Sequence, residues 1–390
     1  PEKATSNLWE RQMAKLGDIA TIQSCGTPAR SIAEYWEDGT IPWVKISDIK
    51  SKHLNQTEEM ITEAGLENSS AKIFPKGTIL YTIFATLGET SILDINAATN
   101  QAIAGISITD SCVLPDYLYY YLLSQKIHVQ KIGRGVAQNN INMKLLRDFD
   151  VPLTSKEAQL NIIEQLNRVT ELLFLRKQQL TKLDELIKAR FVEMFGTYPD
   201  NPFGWNTGKI QDVVSNVRYG SSRPAVEGGK YPYLRMNNIT YAGELDLTDT
   251  KRIDVPDSEL DKCTVQRGDV LFNRTNSKEL VGKTCVYNRD DMMVLAGFVI
   301  RVRVNERILP EFLVAFLNTA FSKQMLLGMC KTAIGQANIN AKEMQNIGLY
   351  IPPIALQEQF VDLKKQTDKS KLLAELFAQS TCILAGNRSK

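Results

Sequence analysis

The sequence predicts an α+β fold: two similar mixed α/β domains separated by two long helices that pack antiparallel as a coiled coil. The first observation is a repeated phrase. "GVAQNNINMKLLRDFDVP" ends at Pro152, and its cousin "AIGQANINAKEMQNIGLYIPP" ends at Pro353. The second is a long amphipathic helical stretch after each phrase. A single helix of this kind cannot bury its apolar stripe alone, so each stretch needs a partner to pack against. Together they predict a pseudo-twofold internal repeat.

Five further landmarks recur in the same order, each displaced by 190 to 200 residues. They are Trp9 and Trp205, "GTP" and "SSRP", "IPWVKISDI" and "YPYLRMNNI", "FPKGTILY" and "VQRGDVLF", and "LPDYLYYYLLS" and "LPEFLVAFLNT". Self-similarity at a fixed offset indicates a tandem duplication. The predicted segments are therefore a first unit at 1–153, a central helix at 154–198, a second unit at 199–352 and a C-terminal helix at 353–390.

Local signals agree with mixed α/β units. Short β-rich runs such as "IPWVKISDI" are bounded by Pro and Gly, and the runs beginning at Pro115 and Pro310 are helical, with Pro in the first turn. Asn142 and Asn340 stand where an N-cap belongs, just before a short helix. The repeated phrase is thus a cap, a short helix and a Pro-containing exit.

The central helix carries a heptad seam over a stretch, about 155 to 195, that has no Pro or Gly. About 40 helical residues span roughly 60 Å. The C-terminal seam is weaker, with polar Thr367 and Ser370 inside it. The central seam is Ile162, Leu166, Val169, Leu173, Arg176, Leu180, Leu183, Ile187, Arg190 and Met194, which alternates steps of four and three.

Composition excludes little. The chain has 390 residues, 46 basic and 44 acidic side chains and a net charge of +2, so a basic surface would have to arise from clustering. There is no apolar run of membrane-spanning length and no apolar core of a signal peptide. Six scattered cysteines and two histidines do not have the spacing of a metal site, and they favour free thiols in a reducing cytoplasm.

The order of unit, helix, unit, helix resembles the specificity subunit of type I restriction–modification systems. The residues that carry the resemblance are "GTPARSIAEYWEDGTIPWVKISDI", the central "NRVTELLFLRKQQLTKLDELIKARFVEMFG", "NPFGW" and the repeated "VP" and "IPP" exits. It covers nearly the whole chain. The sequence "AQSTCILAGNRSK" after Phe377 departs from the heptad, which leaves the C-terminal docking surface less well defined than the central one.

This resemblance implies that each unit is a target recognition domain for half of a split double-stranded DNA site. The helices would set the gap between the halves and bind two methyltransferase subunits, which use S-adenosylmethionine to methylate adenine N6. A restriction subunit that uses ATP and Mg can join them. The chain itself would have no catalytic centre, cofactor or metal, and it would be cytoplasmic.

No enzyme motif in the chain is complete. "NPFG" at 201–204 has one Pro only, where an adenine methyltransferase has two before its aromatic residue. "SKELVGKT" at 277–284 resembles a phosphate-binding loop, but Ser277 stands where the first Gly belongs and a β-rich run follows. Neither His53 nor His128 lies in a motif.

Polar loops and turns supply the candidate DNA contacts, because Arg and Lys suit guanine and phosphate whereas Asn and Gln suit adenine. Gln138, Gln336, Asn140 and Asn338 of the repeated phrase are better explained as loop-stabilising residues. The predicted DNA-binding residues are Arg30, Lys45, Ser47, Thr82 and Thr86 in the first unit and Arg223, Arg235, Asn237, Asn238, Arg274, Asn276 and Lys278 in the second.

Two alternatives remain open from the residues alone. One is a coiled-coil scaffold or adaptor protein that does not bind DNA, and the other is a nucleotide-hydrolysing enzyme built on "SKELVGKT". Salt-dependent duplex binding distinguishes DNA recognition from the scaffold, because only phosphate contacts release counterions in proportion to their number.

Overall fold

The computed structural model describes residues 12–133, 140–333 and 336–387. Contacts within the chain divide it into two compact bodies. The first contains the residues up to Leu173 and the end of the C-terminal helix from Ala385, and the second covers Phe174–Leu384. The division falls inside the central helix. The domain boundaries drawn from the sequence stay predictions.

Among its described residues, the first globular unit contains three sheets and short helices. Its helices are Leu16–Ile19, Glu63–Glu67, Pro115–Ser124, Lys126–Gly133 and Met143–Arg147, with 3-10 turns at Ala33–Tyr35 and Ile46–Asp48. The first sheet has five strands, in spatial order Ala20–Ser24, Ile103–Ile108, Ile79–Thr82, Thr90–Leu93 and His53–Leu54. The second has four, in the order Glu59–Ile61, Ile41–Val44, Ala97–Thr99 and Ile73–Phe74. The third pairs Gln12–Lys15 with Asp150–Leu153.

The second globular unit repeats this plan and has an added three-stranded sheet. Its helices are Asp257–Cys263, Pro310–Leu317, Ala320–Met329 and Ala341–Gln345, with 3-10 turns at Ile210–Val213 and Met236–Asn238. One four-stranded sheet has the order Val214–Tyr219, Val299–Val304, Val270–Asn273 and Thr284–Val286, and the other has the order Lys251–Ile253, Tyr231–Leu234, Met293–Leu295 and Thr264–Val265. A two-stranded sheet pairs Asn206–Lys209 with Gly348–Ile351. The added sheet has the order Thr275–Asn276, Gln336–Asn338 and Lys331–Ala333.

The repeated phrase has the predicted structure in both units. Asn142 accepts a hydrogen bond from the Leu145 amide at 2.8 Å, and Asn340 accepts one from the Glu343 amide at 2.9 Å. Each short helix is followed by a strand that pairs antiparallel with the first strand of its own unit. The N-cap predictions are therefore confirmed, and the phrase closes each unit by joining its two ends.

The long helical run predicted from Pro310 is wrong in one respect, since it is two helices bent by 70°. The break falls at Asn318 and Thr319. The Thr319 hydroxyl accepts a hydrogen bond from the Ser322 amide at 3.2 Å and so caps a new helix. A bend of this kind lets both helices bury apolar residues in the core of the second unit.

The central helix, Lys156–Phe195, has 40 residues, as the sequence predicted. The eight apolar members of its seam are all partly buried, whereas the two interruptions, Arg176 and Arg190, are exposed. Burial with a period of 3.5 residues is the signature of a helix packed along one stripe. We call this helix the first spacer helix.

The second spacer helix, Ile354–Asn387, runs antiparallel to the first within the second body. The Phe191 ring lies 5.2 Å from the Phe360 ring, and earlier on the first helix Asp184 pairs with Lys371, which is later on the second. The predicted C-terminal seam holds only as far as Thr367.

Beyond Thr367 the predicted seam is wrong by one residue. Ser370 and Leu373 are exposed, and the side chain of Lys371 is partly buried in their place. The seam shifts because the ammonium of Lys371 forms an ion pair with the Asp184 carboxylate on the facing helix. The side chain of Phe377 lies outside the described residues.

A buried glutamine anchors each spacer helix to its globular unit, a role that was not predicted from the sequence. Gln159 is fully buried; it accepts a hydrogen bond from the Leu114 amide at 2.9 Å and donates to Cys112 O and Thr154 O at 2.8 and 2.9 Å. A polar residue on the apolar side of a helix is the only signal in the sequence.

Gln357 occupies the same position in the second unit. It is fully buried, accepts from the Leu309 amide at 2.8 Å, and donates to Arg307 O and Pro352 O at 3.2 and 2.8 Å. Each glutamine therefore satisfies one buried N–H and two carbonyls that no aliphatic side chain could satisfy.

We expect Gln357→Leu to lower the free energy of unfolding of the second body by about 3–5 kcal/mol, because it leaves several buried backbone groups unpaired. Urea denaturation followed by tryptophan fluorescence measures this as a lower transition midpoint. Gln165→Leu, at an exposed site on the first spacer helix, is the control, with an expected change within about 0.5 kcal/mol. Equal midpoints for wild type and Gln357→Leu would contradict the anchoring role.

The sequence predicted that the chain has no membrane-spanning segment and that its cysteines are free thiols. None of the helices in that part of the chain is by itself both long and apolar enough to cross a membrane; the bent pair Pro310–Leu317 and Ala320–Met329 reaches that limit only when both helices are taken together. Cys25, Cys112, Cys263, Cys285 and Cys330 are free thiols.

Candidate nucleic-acid interface

A polar turn follows the same strand in both units. The backbone N–H of Lys45 donates to the Asp48 carboxylate at 2.8 Å, and the N–H of Arg235 donates to the Asn238 side chain at 2.9 Å. The turn is one residue pattern used twice, a cation first and a capping side chain three residues later. Ser47 and Asn237, in the middle of the turns, are exposed. We call Lys45–Asp48 and Arg235–Asn238 the paired turns.

The predicted cations of the first unit share a carboxylate. Lys45 lies 2.8 Å from Glu59 and 3.0 Å from Glu58, and Arg30 lies 2.6 Å from Glu59 and stacks 3.6 Å above the Trp36 ring. The hydrogen bond from Lys45 is the main cause that lowers the pKa of Glu59, and the same bond raises the pKa of Lys45. Both cations are therefore ion-paired at the surface.

The second unit repeats this pairing. Arg223 grips Glu259 with two nitrogens, at 2.8 and 3.2 Å, and Arg235 donates to the Asp249 carboxylate and carbonyl, both at 2.9 Å. Exposed ion pairs contribute only about 0–1 kcal/mol. The Arg223–Glu259 pair is exposed on both sides, so the Arg223 guanidinium can exchange its carboxylate for a phosphate at little cost. Arg235 is more buried, and its Nε has no hydrogen bond.

Two predicted contact residues are buried and have structural roles, so their assignment is corrected. Thr82 is fully buried; its hydroxyl donates to the carbonyl of Thr86 and accepts from the Glu89 amide at 2.9 Å. Asn238 is 2% exposed and donates to Asp246 O at 2.8 Å. Both hold a turn in shape, whereas Thr86 is exposed.

The loop that follows Val270–Asn273 meets the repeated phrase in the second unit. Thr275 pairs with Asn338 in the three-stranded sheet, and its hydroxyl bonds the Asn338 side chain at 3.3 Å. Asn276 is partly buried and accepts from the Ser277 amide at 2.9 Å. Asn338 thus stabilises the loop, as predicted for the phrase. Gln138 lies outside the described residues.

Arg274 and Lys278 are the two predicted cations of the second unit that form no salt bridge within the part of the chain that the structure describes. The guanidinium of Arg274 lies 4.9 Å from the centre of the Tyr219 ring, and its Nε is buried without a hydrogen bond. Lys278 is exposed. An arginine held over an aromatic ring keeps its remaining N–H groups aimed in a fixed direction.

Lys283 joins this loop to the paired turn of the same unit. Its ammonium is buried and donates to Met236 O at 2.8 Å, and Lys323 donates to Gly282 O at 3.0 Å. Burial lowers the pKa of Lys283, and it lowers the pKa of Lys323 to about 8. The Lys283 hydrogen bond therefore joins the loop to the turn inside the second unit.

The structure of the segment "SKELVGKT" argues against the nucleotide-binding alternative. "SKELVGKT" ends in the strand Thr284–Val286 rather than a helix, whereas a phosphate-binding loop presents its amides at a helix N-terminus. Lys283 is committed to a carbonyl and is 7% exposed, so the lysine that would contact phosphates is inside the protein.

The two units present different side chains at this loop. The Ile141 amide donates to Ile83 O at 3.1 Å, and the Ile339 amide donates to Arg274 O at 2.9 Å in the equivalent position. Ile83 therefore occupies the place of Arg274, and it is buried. A shared backbone frame thus presents different side chains in the two units.

The comparisons with known proteins agree with this duplicated plan. The family model described as "Type I restriction modification DNA specificity domain" matches residues 9–185 and again residues 202–377. A chain from a type I R-M system, studied for its complex assembly and conformational transition, has a TM-score of 0.62 at 18% identity and covers 96% of this chain and 95% of its own. The S subunit of M. genitalium has a TM-score of 0.50 at 15% identity and covers 99% and 96%. These two structures support the fold.

Curated relatives are specificity subunits. The type I restriction enzyme MjaIX specificity subunit of Methanocaldococcus jannaschii is 29% identical over 249 residues, which are 58% of this chain and 57% of that protein. The EcoKI specificity subunit of Escherichia coli K12 is 21% identical over 375 residues, 88% of this chain and 80% of that one. The scaffold alternative has no support among these relatives. The family model covers most of the chain in two successive matches, and the chain therefore belongs to the type I restriction modification DNA specificity family, with two copies of its domain in tandem.

Proposed function

We propose that the chain is the DNA-recognition subunit of a type I restriction–modification complex and that each globular unit binds one half of a bipartite duplex site. The observation that carries this proposal is the shared frame with different side chains: Ser47 against Asn237 in the paired turns, and Ile83 against Arg274 in the loop. Two units on one frame place two different readers on DNA in the same way.

In the second unit, three side chains have the chemistry for separate tasks. Arg274 suits guanine, because a fixed guanidinium can bond O6 and N7 together, and Asn237 suits adenine. Lys278 suits phosphate, since a flexible ammonium carries charge without sequence information. In the first unit, Ser47 and Thr86 are the exposed counterparts, and Arg30 and Lys45 would exchange Glu59 for phosphate.

The remaining partners follow from the same proposal. Two methyltransferase subunits bind along the spacer helices and methylate adenine N6 with their own S-adenosylmethionine. A restriction subunit with ATP and Mg can join the complex in the cytoplasm. The chain contributes recognition and spacing, with no catalytic group of its own.

We expect Lys278→Ala to weaken binding about equally on all duplexes and to reduce the slope of log affinity against log salt by about 1.

We expect Arg274→Ala to reduce the free energy of binding to the specific duplex by about 1–3 kcal/mol and to relax specificity at one base pair. Fluorescence anisotropy with the methyltransferase complex and labelled duplexes, from low to high salt, measures both effects.

Arg267→Ala is the matched control. Arg267 is exposed and pairs with Asp290 at 2.6 Å. It lies before the strand Val270–Asn273, whereas Arg274 and Lys278 lie after it. Its removal should leave the affinity and the salt slope unchanged. Binding that is independent of salt and of sequence would contradict DNA recognition and return the scaffold interpretation.

A further inference from the structure

In the first unit, one side chain of the first spacer helix is held by the globular unit from two sides. The Asn167 side-chain oxygen accepts from the Lys52 ammonium at 3.0 Å and from the Tyr120 hydroxyl at 2.6 Å. Lys52 also pairs with Asp116 at 3.1 Å and lies 4.9 Å from the centre of the Tyr120 ring. These bonds fix the helix eight residues beyond its buried anchor, Gln159.

Lys52 lies only four residues after Asp48, the cap of the paired turn in that unit. The short connection leaves little freedom between the turn and the helix. A displacement of the turn along the helix would have to break the bonds to Asn167. The contact therefore transmits the position of the helix to the side chains proposed to touch DNA.

The second unit has a counterpart built from different residues. Lys371 of the second spacer helix pairs with Asp184 of the first, and it lies 3.9 Å from Glu244 in the loop after the other paired turn. The backbone of Asp246 in that loop bonds Asn238 O at 2.9 Å. In both units, the loop after the paired turn thus reaches a spacer helix through a lysine.

We propose that these two contact sets, which we call the clasps, are positioning devices that fix each paired turn along its spacer helix, so that the gap between the DNA half-sites depends on the clasps as well as on helix length. This inference rests on the proposed function. Without the clasps, each unit would still recognise its half-site, but a wider range of gaps would be accepted.

The test uses the complex with its methyltransferase subunits and duplexes that keep both half-sites while the gap varies from two base pairs shorter to two longer than the preferred one. Asn167→Ala should raise methylation at gaps one base pair from the preferred one by about three- to tenfold relative to wild type, as the loss of one charge-assisted and one neutral hydrogen bond implies. Asn167→Asp keeps the acceptor and should restore the narrow profile. Glu244→Gln tests the second clasp in the same way.

Gln165→Ala is the control, because Gln165 is exposed on the same helix and bonds only Asn161 of that helix among the described residues. Asn167 is also exposed, so thermal unfolding should not separate the variants. A wild-type complex with a fixed gap and an Asn167→Ala profile identical to it would overturn the clasp and leave the proposed function standing. Wild-type methylation without any fixed gap would overturn both.

Discussion

Replacing residues 199–352 with the second unit of another family member should change one half of the DNA site completely and leave the other half unaltered. The physical reason is that each unit has its own cores, its own paired turn and its own closing strand pair, Gln12–Lys15 with Asp150–Leu153 or Asn206–Lys209 with Gly348–Ile351. Sequencing of methylated adenines in host DNA measures both halves at once.

The exchange of residues 12–153 is its matched control and should change the opposite half. The exchange must keep Gln357 and the partners of its hydrogen bonds compatible, because this anchor lies across the border of the exchanged segment. A new specificity in both halves after a single exchange would contradict independent recognition by the two units.

Deleting residues 174–180 from the first spacer helix should lower methylation at the original gap at least tenfold. Seven residues are two helical turns, about 10 Å, which corresponds to about three base pairs of duplex at roughly 3.4 Å each. The deletion keeps the heptad phase, so the seam on both sides of it stays on one face. We expect either a gap shortened by about three base pairs or a loss of activity, because the second spacer helix keeps its length.

The length-preserving control is Gln178→Ala within the same stretch, at an exposed position. It should retain the wild-type gap and rate. Methylation that persists at the original gap after the deletion would refute the idea that the helix measures distance.

The sequence predicted the elements whose physics is local. The Asn142 and Asn340 caps and the seam of the first spacer helix depend on short spacings that can be counted along the chain. The duplication is visible because the same landmarks recur in the same order at a nearly constant offset. The family resemblance was confirmed by the two domain matches.

The sequence did not predict the features that depend on distant partners. Gln159 and Gln357 look like surface residues until the buried backbone groups around them are known. Lys371 displaced Ser370 from the second seam because Asp184 lies opposite, 187 residues away in the chain. A heptad count has no information about such a partner.

The candidate contacts divide in the same way. Ser47, Thr86, Asn237 and Lys278 are exposed, as a DNA contact requires. Thr82 and Asn238 are buried because the turns need an internal hydrogen-bond partner, and residue type alone does not distinguish a capping side chain from a base-reading one.

Co-expression of the chain with a type I methyltransferase subunit, followed by single-molecule sequencing of methylated adenines, tests recognition of a bipartite site. We expect a motif of two short defined halves around a fixed undefined gap. Methylation at a single continuous motif, or no new methylation from a complex that assembles stably, would contradict it.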